Sequence, residues 1–237
     1  MFRTSRDTPR PWWKRHRRRL EHLIVTAILL AVASALYASE SRRIENQGQL
    51  RVWFFDVGQG DATLIETPDG HQILVDGGPD DTVLTKLGEV LGPLDRSLDL
   101  VLATHPDADH IGGLASVIRD YDVADIDTNG DQKFTSTMRN FESASDEEAG
   151  ANHVIVRAGD AWQFGDVSIR AVWPRDDKDV AAEDANYSAV VLLVTYGDTN
   201  FLLTGDATTD AEAIYDADVP DIDVLKAGHH GSAGSSS

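Results

Sequence analysis

Thr104-His105-Pro106-Asp107-Ala108-Asp109-His110 packs four potential metal ligands into one short stretch of chain. His105 and Asp107 are two positions apart, so in extended chain both side chains point the same way. Asp109 and His110 follow where the pattern turns helical. Such a turn can hand two ligands to one cation and two to a neighbour. A polar turn capped by an Asp needs only one of these groups, so the full HxDxDH spacing argues for more. Two other segments also run from an apolar strand into candidate ligands. Residues 201–203 lead into Thr204-Gly205-Asp206, and residues 224–227 lead into Gly228-His229-His230-Gly231-Ser232. Alone, Gly-Asp is a common turn and paired histidines are ordinary surface residues; their joint occurrence is the signal. The chain has no cysteine, which excludes disulfides, thiolate metal sites and cysteine nucleophiles. Any metal must therefore sit on His, Asp, Glu or neutral oxygen.

The elements that must position these groups are legible as short apolar runs. From Leu50 onward, residues 51–57, 62–66, 72–75, 98–103, 124–126, 154–156, 167–172, 189–195, 201–203 and 224–227 read as strands. Pro68-Asp69-Gly70 is a hairpin turn. Residues 82–91, 111–119 and 208–215 have helical spacing, and 176–184 is an acidic loop. Strands in two runs, each mixed with helices, fit two packed sheets covered by helices, an α/β architecture.

Charge divides the chain. Before Leu20, Arg3, Arg6, Arg10, Lys14, Arg15, Arg17, Arg18 and Arg19 face only Asp7. After it acids dominate, lysine is scarce, and the total formal charge is -19. Such a surface suits a salt-crowded solvent and points to a halophilic source. It argues against nucleic-acid partners at low salt. At about 1 M salt, where the Debye length is roughly 3 Å, only local chemistry decides binding. Residues 1–19 are expected to be a disordered basic tail on the cytoplasmic side. Residues 20–39, with the uncharged run Leu23–Ala38, are expected to be a transmembrane anchor flanked by Trp12, Trp13 and Tyr37. Residues 40–49 would then be a linker and 50–237 a catalytic domain outside the cell membrane. A cleaved signal ending near Ala33-Ser34-Ala35 or Ala38, giving a secreted protein, is the alternative. A twin-arginine reading of Arg17-Arg18-Arg19 is weaker, and a buried core helix sits poorly with the basic flank.

HxDxDH, then GD after a strand, then HHGS, together resemble the metallo-β-lactamase superfamily. Val57-Gly58-Gln59-Gly60-Asp61-Ala62 and Leu74-Val75-Asp76-Gly77-Gly78 make the chain similar to the extracellular hydrolase domain of ComEC-type DNA-uptake proteins. The resemblance runs from about Leu50 to the end. It implies an αββα sandwich with a metal cleft at one edge of the two sheets. It implies His105 and Asp107 on a first metal, Asp109 and His110 on a second, Asp206 bridging both, and His229 as the last ligand with His230 as its substitute. It implies Asp109, Asp206 and His230 as catalytic groups, and Asp61, Asp76, Asn186 and Ser188 as their supports. It also implies further strands and a helix after Ser237. Asp107 stands where family members often carry His, and His153, the one histidine between the first motif and Asp206, reads as structural. The first site is thus oxygen-rich and suits Mn²⁺ or Mg²⁺, while the second, with two His and two Asp, suits Zn²⁺.

The chemistry implied is hydrolysis. Two divalent cations roughly 3.5–4 Å apart would share a hydroxide and direct it at phosphorus or a carbonyl carbon. Ser232 and the serines at 235–237 read as a Gly/Ser loop rather than as nucleophiles. The expected function is a metal-dependent phosphodiesterase or nuclease with a phosphodiester substrate, possibly DNA. The alternatives are hydrolysis of a phospholipid, cell-wall phosphodiester or lactone-like ester, and a non-catalytic membrane-tethered binding module. A role in competence does not follow from the resemblance, because function is argued from the site.

Overall fold

The structure is a computed structural model that describes residues 12–46, 48–181 and 184–236. In chain order the elements are α1 (Trp12–Asn46), β1 (Arg51–Phe54), β2 (Thr63–Glu66), β3 (Gln72–Val75), α2 (Thr82–Leu91), β4 (Ser97–Ala103), α3 (Ala108–Ile111), α4 (Leu114–Asp120), β5 (Asp122–Thr128) and α5 (Ser136–Glu147). They continue with β6 (Asn152–Ile155), β7 (Ala161–Phe164), β8 (Val167–Trp173), α6 (Asp177–Val180), β9 (Val191–Tyr196), β10 (Thr199–Leu203), α7 (Thr209–Tyr215) and β11 (Val224–Lys226).

The strands form two sheets, ordered β1-β2-β3-β4-β5-β6 and β11-β10-β9-β8-β7. Strands β3 to β6 run parallel, as do β10 and β11; the other pairs are antiparallel. Alternation along each strand explains the layering. In β4, Val101 and Ala103 face a cluster shared with α2, α4 and α5, while Leu100 and Leu102 face the other sheet. In β9, Leu192 and Val194 meet them there, while Val191 and Leu193 turn outward to α7. Both faces of these central strands are apolar because both are covered. Leu100 and Leu102 are fully buried; cutting either to Ala would cost ~2–5 kcal/mol. The result is the expected four-layer αββα sandwich.

Strand polarity places the site. Strands β3, β4, β5, β10 and β11 all end towards one rim, and the polar motifs follow directly after them.

The N-terminal expectations change. The helix α1 opens at Trp12, inside the tail expected to be irregular, and continues through most of the expected linker; residues 1–11 lie outside the described residues. Among the described residues, no helix is long and apolar enough to cross a membrane, so the anchor over 20–39 is not supported. The physical reason lies in the run Leu23–Ala38, bounded by His22 and Glu21 on one side and Glu40 on the other. At 1.5 Å per residue it spans about 24 Å, short of a hydrocarbon core of about 30 Å.

Candidate metal centre

Strand β3 ends in Asp76, which holds a left-handed backbone at φ 59°. That turn aims its carboxylate across the strand end into the loop after β4. Asp76 Oδ1 accepts from Thr104 N at 2.8 Å, and Oδ2 accepts from Thr104 Oγ1 at 2.8 Å and faces His110 Nδ1 at 2.7 Å. Thr104 has one hydroxyl proton, and Asp76 takes it. Thr104 Oγ1 must therefore accept from His105 Nδ1, 3.0 Å away. One carboxylate thus fixes both imidazoles with Nδ1 protonated, leaving each Nε2 free to serve as a ligand atom.

The glycine-rich motifs are the seams of this arrangement. A Cβ on Gly60 would lie 2.2 Å from the Asp109 carbonyl oxygen. Gly77 N donates to His110 O at 2.7 Å, and Gly78 N donates to Asp61 O at 2.7 Å. The GQGD, DGG and HxDxDH segments interlock through their backbones.

His105, His110 and Asp206 are all buried. Atoms His105 Nε2, His110 Nε2 and Asp206 Oδ1 have no hydrogen-bond partner, although His110 Nε2 and Asp206 Oδ1 stand 3.2 Å apart. The His105 and His110 rings are 4.2 Å apart, centroid to centroid. Buried polar atoms left unpaired are costly, and three converging on one point could hold a cation. Electrostatics agree. Burial works to lower the His110 pKa, but the Asp76 and Asp206 carboxylates overcome it and push it up to about 11. Burial and the neighbouring His110 push His105 down to about 4. Asp206 falls to about 2, because His110, His105 and His230 outweigh its burial. Both carboxylates therefore favour positive charge where these side chains converge.

A second grouping adjoins the first. His230 Nε2 lies 3.4 Å from Asp109 Oδ2 and 3.6 Å from Asp206 Oδ2, and its Nδ1 lies 3.3 Å from Asp61 Oδ1. Among the described residues, His105/His110/Asp206, Asp109/His110/His230 and Asp61/Asp206/His230 each bring ligand atoms within 4.8 Å of one another. His229 and His230 both hold left-handed backbone, at φ 45° and 53°. Such strain persists only where the surroundings enforce it. It turns His230 inward, while His229 remains 3.9 Å from Asp206, with its side chain 40% exposed. Asn186 Nδ2 stands 3.5 Å from His229 Nδ1.

The remaining expected residues fall around this centre. Asp107 pairs with Lys133 Nζ at 2.5 Å and joins none of the clusters. Asp61 pairs with Lys226, and burial raises its pKa despite that partner. Ser188 is buried, donates to Ala185 O at 2.9 Å, and accepts from Asn129 Nδ2 at 3.1 Å. Sequence reasoning missed Thr104, Asn129, Lys133 and Lys226. The available signal was scarcity: of only four lysines after residue 50, two stand at this rim.

The sequence profile of the Metallo-beta-lactamase superfamily matches residues 55–237. The chain is 32% identical over 187 residues to Recombination protein 2 of Haemophilus influenzae, which covers 77% of this chain and 21% of that protein. It is 30% identical over 208 residues to ComE operon protein 3 of Bacillus subtilis, covering 76% and 25%. With Competence protein ComA of Neisseria gonorrhoeae the identity is 31% over 216 residues, covering 89% and 28%. The chain thus spans about a quarter of the length of these relatives. Among solved structures it is similar to the metallo-beta-lactamase fold protein YhfI from Bacillus subtilis. The TM-score there is 0.50 at 16% identity, covering 70% of this chain and 62% of that one. Fold, site and profile agree: the chain belongs to the metallo-beta-lactamase superfamily, and its relatives include competence proteins.

Proposed function

We infer that the chain is a metal-dependent phosphodiesterase acting on nucleic acid, with a two-cation centre. The observation that carries this reading is the convergence of three unpartnered buried ligand atoms, His105 Nε2, His110 Nε2 and Asp206 Oδ1. The competence relatives favour DNA as substrate. His105, Asp206 and Asp107 would hold a first ion, Asp107 after leaving Lys133. Asp109, His110, His230 and Asp206 would hold a second. Three His and three Asp in all suit Mn²⁺ or Zn²⁺, with Mg²⁺ the harder alternative. When bound, such ions supply Lewis acidity and a nucleophilic water at neutral pH.

The chain's own residues do the rest. Asp76 and Thr104 keep the two imidazoles in one tautomer. Asp61, neutralised by Lys226, holds the Nδ1 side of His230 so that Nε2 faces Asp109 and Asp206. Asp109 Oδ2, partly exposed beside His230, would take the proton of the attacking water. The water oxygen forms a new bond to phosphorus, the ester P–O bond breaks, and the proton passes to the leaving oxygen.

The test is metal analysis beside cleavage of a single-stranded oligodeoxynucleotide with Mn²⁺, Zn²⁺, Mg²⁺ or chelator. Asp206→Ala should remove both ions and reduce cleavage by several orders of magnitude. His230→Ala should weaken metal binding more than His229→Ala. A metal-free parent, or an Asp206→Ala variant with near-normal cleavage, overturns the reading.

A further inference from the structure

The loop between β5 and α5 rises beside the metal centre and carries an unexplained aromatic. Its base is rigid. Asn129 is buried, donates to Ser188 O and Oγ at 3.1 Å, and accepts from Asp131 N at 3.0 Å. Arg157 Nη1 donates to Asn129 O at 2.8 Å. At the far end, Thr135 caps α5 by accepting from Met138 N at 3.1 Å. Thr135 N also donates to Lys133 O at 2.8 Å, closing a three-residue turn with Phe134 at its apex.

Phe134 is 94% exposed. It precedes the cap residue of α5, where an apolar side chain usually packs on the residue four positions into the helix. That residue is Arg139, which offers no such partner. Phe134 has no structural task that hides its ring, and the pinned turn holds it outward. Its neighbour Lys133 reaches the centre, with Nζ 2.5 Å from Asp107.

We propose that Lys133 and Phe134 form a nucleotide clamp at the mouth of the centre, with Lys133 taking a backbone phosphate and Phe134 stacking an unpaired base of single-stranded nucleic acid. This deepens the phosphodiesterase reading and rests on it for the position of the scissile bond. A base stacks on any aromatic face, and a phosphate needs one local cation. Both suit a chain whose overall charge supplies no long-range attraction. A phosphate on Lys133 also releases Asp107, so substrate entry and completion of the first ion's ligand set would be coupled.

The test separates binding from cleavage. With chelator present, Phe134→Trp is titrated with a single-stranded oligodeoxynucleotide, the parent's tryptophan signal serving as blank. Quenching is expected, with affinity about tenfold weaker for the same strand made abasic. Lys133→Ala should lower the salt dependence of binding by about one phosphate contact. In turnover with metal, Phe134→Ala should raise KM for the oligonucleotide about tenfold at unchanged kcat. Quenching without any cleavage by the parent keeps the clamp and removes the hydrolase reading. Absent quenching, equal quenching by the abasic strand, or quenching by phosphatidylcholine vesicles instead of DNA overturns the clamp.

Discussion

Asp76 governs the centre without being able to act in it alone. Its two oxygens bind one backbone amide, one hydroxyl and one imidazole, and through Thr104 it sets the tautomer of His105 as well. Asp76→Asn keeps the shape and tolerates the φ of 59°, since Asn is among the residues found in left-handed backbone. It replaces one acceptor by an NH₂ that cannot receive the Nδ1 proton. We expect metal affinity to fall about 10–100-fold with the fold intact, read by calorimetric titration with Mn²⁺ beside circular dichroism. Unchanged affinity would mean that the tautomers are fixed some other way. At this scale the sequence was informative about which side chains converge, because acids and histidines directly after apolar strands have few other tasks. It ranked His229 ahead of His230, whereas His230 stands nearer Asp61, Asp109 and Asp206, a distinction of folded geometry that adjacent identical residues do not carry in sequence. Nor could it reveal the Lys133–Asp107 and Lys226–Asp61 pairs, which join residues far apart in the chain.

Among the elements, central strands were legible because β4 and β9 are apolar on both faces. Helix α5 was not, because its buried side is only Met138, Phe141, Ala144 and Ser145 on an otherwise polar segment. Strand β7 was missed for a related reason: Ala161–Phe164 is an edge strand of mixed polarity. That strand carries Trp162, whose Nε1 donates to Asp127 Oδ2 at 3.1 Å, while Val154 N donates to Oδ1 at 3.1 Å. Asp127 on β5 thus ties the two sheets together from a fully buried position. Burial pushes its carboxyl up from 3.8 to about 6. The folded state therefore binds this proton more tightly than the unfolded chain. Its contribution is complete below about pH 4 and is lost as pH rises through about 6, on the order of 2–3 kcal/mol in all. Asp127→Asn cannot titrate. The stability of the parent relative to the variant should therefore increase from pH 7 to pH 5, measured as urea midpoints at each pH. A difference independent of pH would show that Asp127 stays ionised in the folded state down to pH 5 and would rule out its raised pKa.

For the whole molecule, charge is the dominant fact. Over residues 51–237, eleven basic residues face thirty-six acidic ones. The ion pairs that exist are concentrated at the metal rim and in a few surface contacts such as Arg157–Asp177 and Arg175–Asp179. Most acids have no cation to answer them, and their mutual repulsion opposes the compact state. Raising salt from about 0.1 M to 1 M shortens the Debye length from about 10 Å to 3 Å, which removes repulsion between exposed acids while leaving buried pairs such as His110–Asp76 nearly untouched. The melting temperature should therefore rise by several degrees in NaCl over that range. Two exposed acids, Asp216 and Asp218, follow α7 and pair with no basic side chain among the described residues. The double variant Asp216→Asn, Asp218→Asn should melt higher than the parent at low salt and gain less from added NaCl, because part of the repulsion is already gone. A melting temperature that is flat or falls with salt, or a double variant with the parent's full salt gain, would show that surface repulsion does not limit this fold. The origin of its stability would then have to be sought in the apolar layers alone.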